Sequence, residues 1–215
     1  QSGNRKWGSA SSVIMHKDLV IVNASEESRA VIGLNKKTGA EVWKAPGDKL
    51  ELSYTTPFIF SASPEKQLII VPVPNEIWAI NPENGKLVWF AETSLNGNIS
   101  PTIAAKDNLL FCFGGFPQTK AVALKAEGKG DLSKNIVWSS TDSSYVPSPV
   151  VKGEHLYWIN DRGLAYCAEA ATGKIIYKER LPLKSSGGAA RPVYASMILV
   201  HDKLIAVTRQ EGTFV

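Results

Sequence analysis

The sequence predicts an all-β chain of repeated four-stranded sheets, on three observations that share one period. First, a turn followed by an aromatic residue recurs at 33–43 (GLNKKTGAEVW), 79–89 (AINPENGKLVW) and 167–177 (CAEAATGKIIY); the turn glycines Gly39 and Gly85 are 46 positions apart, and Gly173 follows after twice 44. Second, an apolar strand after a small polar turn places leucines at 19, 68, 109, 156 and 204. Third, a small polar pair opens each unit: Thr56-Pro57, Ser100-Pro101 and Ser148-Pro149, with Ser12-Val13 and Ser196-Met197 as variants lacking the proline. A period of 40–50 residues with four short apolar runs and no helix is that of a β-propeller blade.

Taken in order, the first blade spans about 8–47, with a strand after Lys17-Asp18, a turn at Gly39 and an outer-strand Trp43. The second, 52–93, repeats this with Leu68, Gly85 and Trp89. The third, 97–141, carries a degenerate copy in which a longer turn, 126–135, precedes Trp138. The fourth, 145–182, is the most regular: strands at 149–151, 156–160, 164–168 and 174–180 are joined by Lys152-Gly153-Glu154, Asp161-Arg162-Gly163 and Ala171-Thr172-Gly173, all turn chemistry. The fifth, 190–215, is incomplete, since Thr213-Phe214-Val215 aligns with a third strand.

Within each unit the conspicuous residues have structural duties. Gly39, Gly85 and Gly173 are expected at positive φ, and Asn35 and Asn81 are expected to bond their turn backbones. Trp43, Trp89, Trp138 and Tyr177 recur once per blade at one phase, as expected of anchors between neighbouring blades.

Composition narrows the function classes. The 24 Lys and Arg are interspersed with 20 Asp and Glu, a net charge of +4 without the basic stripe of a nucleic-acid binder. No apolar run approaches the roughly 18 residues of a membrane helix. Residues 1–4 show no signal pattern, although a leader removed earlier would leave none. Cys112 and Cys167 lie inside apolar strand runs and read as buried small hydrophobes rather than a disulfide. No metal-ligand spacing is present. His16, His155 and His201 share a hairpin phase and read as solvent-facing turn residues; Asp161-Arg162 reads as a solvated turn pair. Gly114-Gly115 and Gly187-Gly188 lack the strand–turn–helix context of a phosphate loop. Asn23-Ala24-Ser25 and Asn98-Ile99-Ser100 match the glycosylation pattern, a three-residue signal of little weight.

The Thr-Gly-x-x-x-Trp motif at 38–43, with its copies at 84–89 and 172–177, resembles the tryptophan-docking repeat of quinoprotein dehydrogenases. It is equally similar to the scaffold lipoprotein family of the bacterial outer-membrane assembly machine. The segments 146–149 and 156–163 resemble those of secreted PQQ-like repeat proteins of planctomycete-type bacteria. The resemblance covers essentially the whole chain and implies seven or eight blades in a closed ring, of which about four and a half are present, so the chain reads as a fragment. It implies an exported bacterial protein, in the periplasm or at the cell surface.

Two functions follow from the resemblance. The first is a non-catalytic scaffold with a protein partner and no cofactor in this segment. The alternative is a PQQ-dependent alcohol or polyvinyl-alcohol dehydrogenase, whose PQQ and calcium site is completed elsewhere; the family's adjacent-cysteine disulfide has no counterpart here. Sugar or polymer binding is a third reading. Any ligand is expected at the channel mouth, on the loops leading into the innermost strands (50–55, 95–100, 142–146 and 185–194), where Tyr54, Asn98, Tyr145, Arg162, Arg191 and Tyr194 are candidate lining residues. The tyrosines have edge packing as an equal alternative. Open blade flanks imply self-association.

Overall fold

The structure is a computed structural model describing residues 8–63, 66–183 and 191–215. The opening tetrapeptide, Gly187-Gly188, positions 185–190 of the fourth mouth loop and residue 190 at the start of the last blade lie outside the described residues.

Among the described residues five sheets, antiparallel but for one added strand in the second, follow one another in the partial β-propeller architecture. The first orders β1 (Ile14–His16), β2 (Leu19–Ala24), β3 (Ala30–Asn35) and β4 (Glu41–Pro46). The second contains β5 (Phe58–Ser63), β6 (Lys66–Val73), β7 (Glu76–Ile80) and β8 (Leu87–Glu92). The third contains β9 (Ala104–Lys106), β10 (Leu109–Gly114), β11 (Lys120–Lys125) and β13 (Ile136–Ser140). The fourth contains β14 (Val150–Lys152), β15 (His155–Ile159), β16 (Leu164–Glu169) and β17 (Ile175–Arg180). The last contains β18 (Ile198–Val200), β19 (Lys203–Val207) and β20 (Thr213–Phe214).

The cores lie between sheets, because the period of two sends alternate side chains to opposite faces. On β6, Ile69, Val71 and Val73 pack against Leu19, Ile21 and Val31 of the first sheet. Leu68 and Ile70 of the same strand pack with Leu110, Cys112 and Val122 of the third. Phe111 and Phe113, which alternate with Leu110 and Cys112 on β10, meet Leu156, Trp158 and Tyr166 of the fourth. A strand buried on both faces needs a continuous apolar run, which explains why 68–73 and 109–113 read so hydrophobic.

The indoles join consecutive sheets. Trp43 donates through Nε1 to the Pro82 carbonyl at 2.9 Å, its ring over Gly85. Trp138 does the same to Ala170 at 3.0 Å, over Gly173. Trp89 is buried, but its N–H has no partner among the described residues. Polar links run the same way: Ser12 N–H donates to Thr56 Oγ1, Thr102 N–H to Ser148 Oγ and Ser148 N–H to Ser196 Oγ. Lys106 pairs with Glu154 at 2.9 Å, and Lys152 with Asp202 at 2.6 Å.

Several expectations require correction. A single helical turn, α1 (Ser25–Ser28), interrupts the connection between β2 and β3 where no helix was expected. The long turn at 126–135 holds a strand, β12 (Gly130–Asp131), which pairs parallel with Trp89 and Phe90 and gives the second sheet a fifth member. His16 is buried, 5% exposed, with Nε2 3.2 Å from Glu83, rather than facing solvent. Asp161 is likewise buried. Asn23 is fully buried and its amide donates to the Ser53 and Thr55 carbonyls, which removes it as a glycosylation acceptor. Both cysteines are free and buried, and desolvation pushes the Cys112 thiol far above its ordinary range.

Candidate functional site at the axial mouth

Each innermost strand is preceded by a loop, and five of these loops converge. Ala10 precedes β1, Tyr54 precedes β5, Asn98 and Ser100 precede β9, Tyr145 and Val146 precede β14, and Tyr194 precedes β18; together they line one depression of about 390 Å³. The loops are fixed at their bases. Asn23 is bonded to Ser53 and Thr55, Tyr54 N–H donates to the Ile99 carbonyl at 2.7 Å, and Ile99 N–H donates to the Leu52 carbonyl at 2.9 Å. Ser144 and Ser143 are buried and hydrogen-bond to nearby carbonyls. The site is therefore carried on loops held by a rigid scaffold.

Inside the mouth, Asn98 Nδ2 donates to the Tyr145 hydroxyl at 3.2 Å, while the Tyr54 hydroxyl donates to Glu26 of the helical turn. A second depression of about 200 Å³ adjoins, sharing Tyr145 and bordered by Phe116, Asp161, Arg162 and Arg191. Here the Arg191 guanidinium lies 5.0 Å from the Tyr145 ring centroid and 5.1 Å from that of Phe116, with the two rings themselves 5.1 Å apart. Its Nε faces the Asp161 carboxylate at 3.4 Å. Arg209 lies over the exposed Tyr194 ring at 5.2 Å. A guanidinium held over aromatic rings loses less freedom when it bonds a ligand than one free in solvent.

Of the six residues singled out from sequence, Tyr54, Asn98, Tyr145 and Tyr194 share the larger depression, and Tyr145, Arg162 and Arg191 border the smaller. Sequence reasoning missed Phe116, Arg209 and the buried role of Asp161. Phe116 follows β10 at the same end of its sheet as Asp161-Arg162, so strand direction alone could have found it. Arg209 carries no local signal.

The residues present do not fit the calcium that a quinoprotein resemblance implies. Calcium takes six to eight oxygens with carboxylates prominent. Asp161 is the one carboxylate among the described residues lining the two depressions, and Arg191 already faces it. Among the described residues, no group of three or more His, Cys, Asp or Glu could hold a metal ion.

Comparison with known proteins places this geometry. No curated protein is significantly similar to the chain in sequence. Among solved structures, BamB from Moraxella catarrhalis matches at 17% identity and a TM-score of 0.50, over 91% of this chain and 68% of its own. The computationally designed Ika8 protein matches at 10% identity and 0.62, over 94% of this chain and 56% of its own. Quinohemoprotein alcohol dehydrogenase from Comamonas testosteroni matches at 13% and 0.65, over 97% of this chain and 42% of its own. At these identities the likeness shows the fold alone, and the chain spans only part of each structure. The family match is broader: residues 3–179 match the PQQ-like repeat family described as outer membrane protein assembly factor BamB, and the chain belongs to that family.

Proposed function

We propose that this chain is a non-catalytic β-propeller scaffold of the bacterial cell envelope that holds a protein partner at its axial mouth. The observation that carries the reading is the cluster of Tyr145, Phe116 and Arg191 beside the depression between Tyr54 and Tyr194. Tyrosine and arginine dominate the energetics of protein interfaces: the tyrosine ring offers a large, rigid contact area with a polar tip, and the guanidinium a planar fork of donors. Loops fixed at their bases bind without a large ordering cost. Family membership supports an envelope location and an assembly role, and among the described residues no helix is long and apolar enough to cross a membrane.

Site-specific photocrosslinking in bacteria producing the full-length protein tests this. A photoreactive side chain replacing Tyr194 is expected to give a discrete protein adduct in the envelope fraction, and one replacing Ile176 on the outer strand β17 is expected to give none. Adding Arg191→Ala and Tyr145→Ala is expected to abolish the Tyr194 adduct. No adduct at 194, or equal adducts at both positions, would refute the mouth as the partner site.

A further inference from the structure

The longer turn at 126–135 departs from the repeat and adds a fifth strand to the second sheet. It is firmly held. Gly130 and Asp131 pair with Trp89 and Phe90, Leu132 N–H donates to the Phe90 carbonyl at 2.8 Å, and Glu92 N–H donates to Ser133 Oγ at 2.9 Å. Leu132 is buried, fixing the segment against the second and third sheets. The result is that Lys129, between Gly128 and Gly130, is carried out of the third blade to the edge of the second.

There it meets lysines from two other hairpins. Lys17 from the first sheet, Lys66 from the second and Lys129 line one depression of about 470 Å³, at the end of the sheets opposite the axial mouth. Its wall includes the buried His16, and Leu68 and Val88 supply an apolar floor. Among the described residues of the lining Glu83 is the one carboxylate, and it lies 2.5 Å from Lys17. Lys66 and Lys129 have no ion-pair partner among the described residues. The described lining residues therefore carry an excess of two positive charges contributed by separate blades.

We propose that this depression is a second binding site, distinct from the axial mouth, and that it takes a phosphoryl-bearing anion. Ammonium groups act as point charges that suit the phosphoryl group, whose several oxygens accept from more than one direction. The volume exceeds that of a bare phosphate, and the Leu68–Val88 floor leaves space for the group that carries it. Two sources share this chemistry: a phospholipid headgroup and a soluble phosphoester.

The test uses the full-length protein that contains these residues and two probes. Titration with inorganic pyrophosphate at low salt is followed by the NMR signals of the His16 ring. Saturable shifts are expected, with affinity falling about tenfold in Lys66→Gln/Lys129→Gln. Lys134→Gln, on the same insertion but outside the depression, is expected to leave affinity unchanged. In the second arm, vesicles of phosphatidylglycerol and phosphatidylcholine are compared with phosphatidylcholine alone. Retention on the anionic vesicles that depends on Lys66 and Lys129 identifies a headgroup as the source; pyrophosphate binding without vesicle retention identifies a soluble phosphoester. Absence of His16 shifts with pyrophosphate, or equal weakening by Lys134→Gln, overturns the proposal.

Discussion

Trp43 and Trp89 stand at the same place in the repeat, yet they are not equivalent. The Trp43 N–H is bonded to the Pro82 carbonyl, whereas the Trp89 N–H is buried without an acceptor among the described residues. Substitution by phenylalanine removes similar ring volume at both sites. Only at Trp43 does it also break a hydrogen bond and strand a carbonyl, so Trp43→Phe is expected to cost about 1 kcal/mol more than Trp89→Phe in urea unfolding. The phase of the indoles was legible in the sequence. The missing acceptor was not, because it depends on how the 126–135 turn of the next blade is folded. Exposed ion pairs give a second residue-scale expectation. Bonding to Lys36, to Lys17 and then His16, and to Lys152 lowers the pKa values of Asp18, Glu83 and Asp202 below their ordinary 3.8, 4.5 and 3.8 respectively. A carboxylate more acidic when folded stabilises the fold above its unfolded pKa and loses that contribution as pH falls through the folded value. The urea midpoint is therefore expected to drop as pH falls below about 4, with a shallower drop in high salt.

At the scale of elements, the strands were readable from periodicity, and the most regular unit agrees within a residue or two: β14 to β17 fall at 150–152, 155–159, 164–169 and 175–180 against expected runs at 149–151, 156–160, 164–168 and 174–180. The shortest elements were invisible, the 3-10 turns at Asp48–Leu52 and Ser133–Asn135 among them. The helical turn at Ser25–Ser28 is a single turn, too short to show a period, and β12 has two residues in a parallel pairing that leaves no alternation to detect. That short strand covers the exposed edge of β8, a protection natural sheets commonly need. Because Glu92 N–H donates to Ser133 Oγ, Ser133→Ala is expected to speed hydrogen exchange at the Glu92 amide by about tenfold, the equivalent of one hydrogen bond. Amides of the buried strand β6 are expected to be unaffected. An unchanged Glu92 rate would show that the insertion does not hold the edge.

For the whole molecule, the mouth was legible because every loop leading into an inner strand shares one phase, which placed Tyr54, Asn98, Tyr145 and Tyr194 in a single depression. The partners of Arg191, Phe116 and Tyr145, were not legible, since they come from different blades, and Arg209 and Tyr194 share a blade but no recurring spacing. The outermost sheets leave Val13 and Met15 at one end and Ile198, Val200 and Val207 at the other exposed, with Met15 and Ile198 each at 56%. Such apolar flanks are expected to associate, giving sedimentation coefficients that rise with concentration and fall back in Met15→Lys and Ile198→Lys. The account depends above all on sheets stacked face to face, with an indole of one seated on the glycine turn of the next. Gly39, Gly85 and Gly173 share φ values of 71°, 70° and 72°, but an added Cβ would lie 2.6 Å from the Trp43 ring at Gly85, 2.7 Å from the Trp138 ring at Gly173, and near nothing at Gly39. Urea unfolding of the three glycine-to-alanine variants separates backbone strain from that contact. Gly39→Ala is expected to cost about 1–2 kcal/mol, and the other two about 2 kcal/mol more; equal losses at all three would contradict the stacking of indole on turn.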